Sequence, residues 1–330
     1  MWNEIYGHEK NKEFLAGFLN EGKRTSSLLF FGLAGVGKKT IAHTFAQAFL
    51  CEADGAIACG HCPSCQSFVA NAHPDFLLVE PKAAGKPILI EQIKEISQQA
   101  ALSPRLAKRK ICLLDGADYM TTTAANSLLK VLEEPPAYWL FVLIATNPER
   151  LLPTIRSRVI ELRFAPLTEA MISKILADKK VPPAEAELAA RLADGSAGEA
   201  LHMVGQDILA LREQALTLFS SLPTAGVLQL INRFPWPEKS EAREGLKLLE
   251  LMIYILRDAL LLKAGVYEPL YNSDLQEKIE KDFKTWHSKA IKNIIKLVQE
   301  SFLAITANTS GKVVWEALLI KINLILKEDY

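Results

Sequence analysis

The sequence predicts a parallel α/β domain over roughly the first half of the chain and helices alone after it. Two observations carry that prediction. Short apolar runs alternate with helix-periodic stretches as far as Phe164, and a glycine-rich loop joins the first run to a helix. Beyond Pro166 only helical spacings remain. The chain has 330 residues, enough for two or three domains. Its 38 basic and 38 acidic residues cancel, so a whole-molecule attraction to nucleic acid or to a membrane surface is not supported. Met1–Glu4 lacks a basic stretch followed by an apolar core, so no secretory signal is read there. The apolar segment 246–262 carries Lys247, Glu250, Arg257 and Asp258, which argues for a buried amphipathic helix rather than a membrane span. The expected compartment is the cytoplasm.

A first helix is expected from Phe14, Leu15, Phe18 and Leu19, broken at Arg24-Thr25-Ser26. The strand Leu28–Phe31 then runs into Gly32-Leu33-Ala34-Gly35-Val36-Gly37-Lys38-Lys39-Thr40. Strand, glycine-rich loop and helix make a P-loop: glycines let amides converge on phosphate oxygens, and the helix N-terminus adds its positive dipole end. Gly32, Gly35, Gly37, Lys38 and Thr40, with Asp115 from a later strand, are the candidate nucleotide-binding residues. The pattern wants a Mg²⁺-holding hydroxyl directly after the lysine. Lys39 stands there, and a hydroxyl arrives only at Thr40. Ile41, Phe45 and Phe49 give the following helix an apolar face for the sheet.

Cys51, Cys59, Cys62 and Cys65 lie within fifteen residues. In a reducing compartment such crowding points to metal before disulfides. Four thiolates suit a closed, structural Zn²⁺ site. An iron–sulfur cluster is the competitor, but the bacterial ferredoxin spacing fails where Val69 stands. His61 and His73 are expected as neighbours rather than ligands.

Strands are next expected at Phe76–Val79, Ile111–Asp115, Leu140–Ala145 and Val159–Phe164. Ile90, Ile93 and Ile96 mark a helix, and so does the stretch from Thr123 to a Pro135-Pro136 stop. Arg105, Lys108, Arg109 and Lys110 read as a solvated loop, with phosphate contact as the weaker alternative. Asp115, ending a buried run, has the place of a Walker B metal acid. Gly116 follows it, where an ATPase of this type carries a water-activating glutamate; Asp118 is three residues beyond the aspartate. Thr146-Asn147 suits either a γ-phosphate sensor or a strand-ending turn. Helical periodicity at Leu249, Ile253, Leu256 and Leu260, then at Ile291, Ile294, Ile295 and Val298, predicts a bundle toward the C-terminus.

These motifs together resemble, over the whole chain, the delta-prime subunit family of bacterial DNA polymerase III clamp loaders, in the AAA+ class. The most specific parts are the cysteine array directly after the P-loop helix, Asn126–Lys130 with Glu133-Glu134-Pro135-Pro136, and Arg156-Ser157-Arg158. Ala307-Asn308 with Trp315–Leu319 is similar to the family's C-terminal stretch. The resemblance implies an AAA+ core over residues 1–164 with a zinc module at 51–65. It further implies a helical lid over 165–207 and a helical collar over 208–330 that assembles a five-membered ring. Implied partners are the gamma/tau ATPase subunits and the delta subunit, with the sliding clamp and primed DNA reached through them. Arg158 takes the place of an arginine finger acting on a neighbour's ATP, although Val159 stands where the family's motif has cysteine. Gly198 stands where motor subunits carry a phosphate-sensing arginine.

Lys39, Gly116 and Gly198 together argue against hydrolysis by this chain and leave ATP or ADP binding open. The expected role is a non-hydrolysing subunit of the DNA polymerase holoenzyme. One alternative is an active clamp-loader ATPase in which Thr40 and Asp118 take over the missing roles. Another is a zinc-containing nucleic-acid-binding module, disfavoured by neutral charge and by the lack of aromatics among the basic residues.

Overall fold

The computed structural model describes residues 2–20, 27–53, 55–83, 85–204, 207–237 and 242–328. The break expected at Arg24-Thr25-Ser26 lies outside these residues. The chain divides into two compact units, residues 1–175 with 193–199, and residues 176–192 with 200–330.

The first unit is built on five parallel strands: β1 (Ser27–Gly32), β2 (Phe76–Val79), β3 (Lys110–Asp115), β4 (Trp139–Ala145) and β5 (Val159–Phe164). Their order across the sheet is β2-β3-β4-β1-β5. Both faces are covered, as parallel strands require, and the side chains sort between them with a period of two. Leu28 and Phe30 of β1, Ile111 and Leu113 of β3, and Leu140 and Val142 of β4 bury against α1 (Glu9–Asn20) and α2 (Lys38–Leu50). Leu29, Cys112, Leu114, Phe141 and Leu143 face the other way. They pack with Ile93 and Ile96 of α4 (Ile90–Ala100), Leu128 and Leu132 of α5 (Thr122–Glu133), and Ile155 of α6 (Pro153–Arg156). The short α3 (Pro63–Val69) carries the last of the clustered cysteines, Cys65. The expected five-stranded parallel architecture is therefore present, with the first helix after β1 starting at the lysine of the loop, Lys38.

Past β5 come α7 (Glu169–Asp178), α8 (Pro183–Leu192) and α9 (Ala197–Val204). The second unit is all helical. Its principal helices are α10 (Ile208–Ser221), α11 (Val227–Arg233), α12 (Ala242–Lys263), α13 (Gln276–Asp282), α14 (Ser288–Thr306) and α15 (Gly311–Glu328). Leu249, Met252, Leu256, Ile291, Ile294, Val298, Leu319 and Ile322 form its core. Trp236 closes one end. A Cβ at Gly245 or at Gly311 would lie 2.5 or 2.4 Å from its indole, so both positions need the space that glycine leaves. The Trp315 indole N–H donates to the Phe234 carbonyl at 2.7 Å. Asp258 of α12 is fully buried and accepts the Tyr271 and Asn272 amides. Burial raises its pKa, and those donors oppose the rise. Among the described residues no helix is long and apolar enough to cross a membrane.

Candidate functional site

The P-loop sits where β1 ends and α2 begins. Gly37 takes a left-handed conformation as the helix N-cap. Lys38 is only 6% exposed, and its ammonium turns back on the loop, donating to the Gly32 and Leu33 carbonyls at 2.7 Å each. Burial lowers its pKa, against the pull of Asp115 and Asp118. The loop thus satisfies its own lysine.

Lys39 does something the bare motif does not reveal. Its ammonium lies 2.6 Å from Glu80 and 3.0 Å from Asp115. Burial would lower its pKa, but the bonds to Glu80 and Asp115 outweigh that and raise it. The acid in the Walker B place is therefore already paired with a fixed positive charge. Glu80 was missed in the sequence. The signal was its position one residue beyond β2, because Val79 pairs with Leu114 and the next step of that register aligns Glu80 with Asp115.

The position of the missing glutamate and its suggested substitute, Asp118, are both built for the backbone. Gly116 has φ 81°, a left-handed backbone that disfavours a glutamate there. Asp118 is committed elsewhere: one carboxylate oxygen accepts the Thr146 and Asn147 amides at 3.1 and 2.9 Å. Its other oxygen is buried without a partner among the described residues. The Asn147 side chain in turn accepts the Glu149 amide, as a strand-ending turn requires.

Gly198 lies directly on the loop. Its amide donates to the Gly35 carbonyl at 2.9 Å, and a Cβ at 198 would come within 2.9 Å of the Gly35 Cα. Gly35 itself has φ 75° and no room for a side chain, with the Ser196 hydroxyl 2.3 Å from where its Cβ would be. An arginine at 198 does not fit this contact.

The four cysteines converge. Cys51 ends α2 and Cys62 caps α3, and the four sulfur atoms lie within 4.8 Å of one another. Tetrahedral thiolates at about 2.3 Å from a metal stand ~3.8 Å apart, so the cluster fits one such ion. The amides of His61 and Cys62 lower the Cys59 thiol to about 6, whereas burial pushes Cys65 up to about 12. Cys59 is therefore already inclined to the thiolate form, and a dication is what would bring Cys65 there as well. Neither histidine joins the sulfurs. His61 bonds to the Cys59 carbonyl. His73 is buried, accepts the Asp75 amide on Nδ1 and meets the Ser64 hydroxyl through Nε2 at 2.8 Å; that hydroxyl donates to the Leu50 carbonyl. Cys112 lies inside β3, where burial pushes its thiol up and makes it inert.

The basic run is more structural than its letters suggest. Asp75, 1% exposed, accepts the amides of Arg105, Leu106 and Ala107 at 2.7–2.8 Å. Arg109 lies over the Phe49 ring, and buried Lys110 lies over Trp139 and donates to the Gln99 and Leu102 carbonyls. The solvated-loop expectation fails for Lys110, whose ammonium has an aromatic face and two carbonyls in place of water.

Arg158 is exposed at the entry to β5. Its guanidinium donates to the Thr154 carbonyl at 2.9 Å and pairs with Glu133 at 2.9 Å. Arg156 is paired separately, with Glu149 and Glu161.

Residues 7–168 match a family model described as DNA polymerase III, delta subunit, and residues 206–322 match one described as DNA polymerase III, delta subunit, C terminal. DNA polymerase III subunit delta' of Bacillus subtilis is 31% identical across 92% of this chain and 92% of its own length. The subunit of the same name from Pseudomonas aeruginosa is 39% identical across 57% of this chain and 58% of its own length, so that match spans less than two thirds of the relative. DNA polymerase III subunit gamma/tau of Mycobacterium bovis is 31% identical across 68% of this chain and 40% of its own length.

Proposed function

The chain belongs to the family of DNA polymerase III delta-prime subunits, and on that premise we propose that it serves in the clamp loader of DNA replication without hydrolysing ATP itself. The observation that carries this reading is the Lys39 ammonium bonded to Asp115. A motor gives that acid to Mg²⁺ and puts a hydroxyl where Lys39 stands. Here a tethered cation takes the charge, Gly116 has nothing with which to orient water, and Gly198 has no side chain to reach a phosphate. Each such loss costs several kcal/mol of transition-state stabilisation by itself, about 10²–10³ in rate for a single donor. Gly32, Gly35, Gly37, Lys38, Thr40 and Asp115 are then a retained nucleotide fold, holding ATP or ADP at most.

The chemistry contributed by this chain is assigned to Arg158, offered as a finger to ATP on a neighbouring gamma/tau subunit. Its exposure and its place before β5 suit that role. The ring would hold gamma/tau and delta subunits with this one, reach the sliding clamp and primed DNA through them, and work in the cytoplasm. Residues 1–164 would act as the AAA+ core, 165–207 as the lid and 208–330 as the collar. Cys51, Cys59, Cys62 and Cys65 would hold one structural Zn²⁺, which supplies a cross-link and no reaction step.

The test is Arg158→Ala in the ring reconstituted with gamma/tau and delta. The complex keeps its composition, and the site that receives the finger loses about 10³-fold or more in hydrolysis, with clamp loading falling alongside. Unchanged ATPase and loading rates reject the finger.

A further inference from the structure

Arg158 is held from two sides, and one side is an acid with no use to its own helix. Nη1 donates to the Thr154 carbonyl at 2.9 Å and meets the Ser157 hydroxyl at 3.3 Å; Nη2 meets Glu133 at 2.9 Å. Glu133 is the last residue of α5, followed by Glu134 and the Pro135-Pro136 stop. A carboxylate at a helix C-terminus opposes the helix dipole, and a second acid beside it adds repulsion. Local helix stability therefore gives no reason for Glu133. The reason lies across the gap, at Arg158. Arg156 does not compete for it, since Glu149 and Glu161 already pair with that guanidinium. Nη1 makes two hydrogen bonds, and Nη2 holds Glu133 as an ion pair. Nε–H has no partner among the described residues and Nη2 has N–H capacity beyond that ion pair, so this edge offers the two donors that a bidentate contact with a phosphate needs.

We propose that Glu133 is a positioning residue for Arg158, fixing the guanidinium so that its two uncommitted donors meet a phosphate on the neighbouring ATPase subunit. The inference rests on the finger reading. A free arginine side chain samples many rotamers, and anchoring it in advance lowers what engagement costs. The neighbouring phosphate binds donors that Glu133 does not use, so the ion pair persists through the reaction.

The experiment compares ATP turnover by the reconstituted ring carrying Glu133→Ala, Glu133→Gln, Arg158→Ala and the Glu133→Ala/Arg158→Ala pair. Glu133→Ala is expected to lower finger-dependent kcat about fivefold, the kinetic equivalent of an exposed pair near 1 kcal/mol, with KM for ATP little changed. Glu133→Gln keeps an acceptor for Nη2–H and recovers most of the rate. Glu133→Ala has no further effect once Arg158 is alanine. A full-rate or faster Glu133→Ala ring beside a crippled Arg158→Ala ring overturns the positioning role and leaves the finger standing. An equal loss from Glu133→Ala in both backgrounds overturns it too, because the carboxylate would then act on the fold alone. A full-rate Arg158→Ala ring removes the finger and this inference together.

Discussion

At Lys39 a single replacement changes the chemistry of a whole loop. Its ammonium, 3.0 Å from Asp115 and 2.6 Å from Glu80, fills with a side chain the charge that a hydroxyl and Mg²⁺ would share. Lys39→Thr returns the hydroxyl but not the water-orienting glutamate or the arginine. Phosphate release by the purified variant is expected to stay at the level of the unaltered chain; a turnover of about 1 s⁻¹, within the ordinary enzyme range, would show that Lys39 was the sole block. His73 gives a second prediction at this scale. Burial lowers its pKa from 6.5, so the unfolded chain takes up the proton first as pH falls. Its contribution is complete above that value and is lost as pH drops through the folded pKa. His8 and His43 are lowered by burial as well. Urea melts should therefore show stability declining from pH 7 toward pH 5, with a shallower decline in His73→Gln.

At the scale of elements, the strands were legible because each is an apolar run bounded by a turn, and the loop because its glycine spacing serves phosphate alone. The partners were not. Glu80 meets Lys39 only through the register of β2 on β3, and Glu133 meets Arg158 only because α5 ends beside α6. Both depend on tertiary placement, which no local pattern encodes. Asp75 carried no signal in the sequence, yet its carboxylate organises the whole 105–107 segment. The cysteine array was legible as a metal site, since ligand spacing within one segment is itself local. One zinc per chain is expected by elemental analysis of freshly purified protein. Cys62→Ser should release it and lower the melting temperature; retention of a full equivalent by that variant would argue against the four-sulfur set.

For the whole molecule, balanced charge sets the terms of contact with DNA. Lys110 is buried, Arg109 lies on Phe49, and Arg156 and Arg158 are paired with acids, so the two basic stretches offer less free positive charge than their letters suggest. The isolated chain is expected to bind primed DNA weakly, with a log K against log salt slope shallower than about −2. A steep slope and tight binding by fluorescence anisotropy would favour direct nucleic-acid recognition. The contact of Gly198 with Gly35 has a different character. Both partners are main-chain atoms, so the fastening is indifferent to salt and to protons, and an alanine scan that trims side chains passes over it unseen. Whatever passes through the loop must work around a clasp made of peptide, one that exchange of the amide hydrogen would reveal and exchange of the residue's letter would only jam.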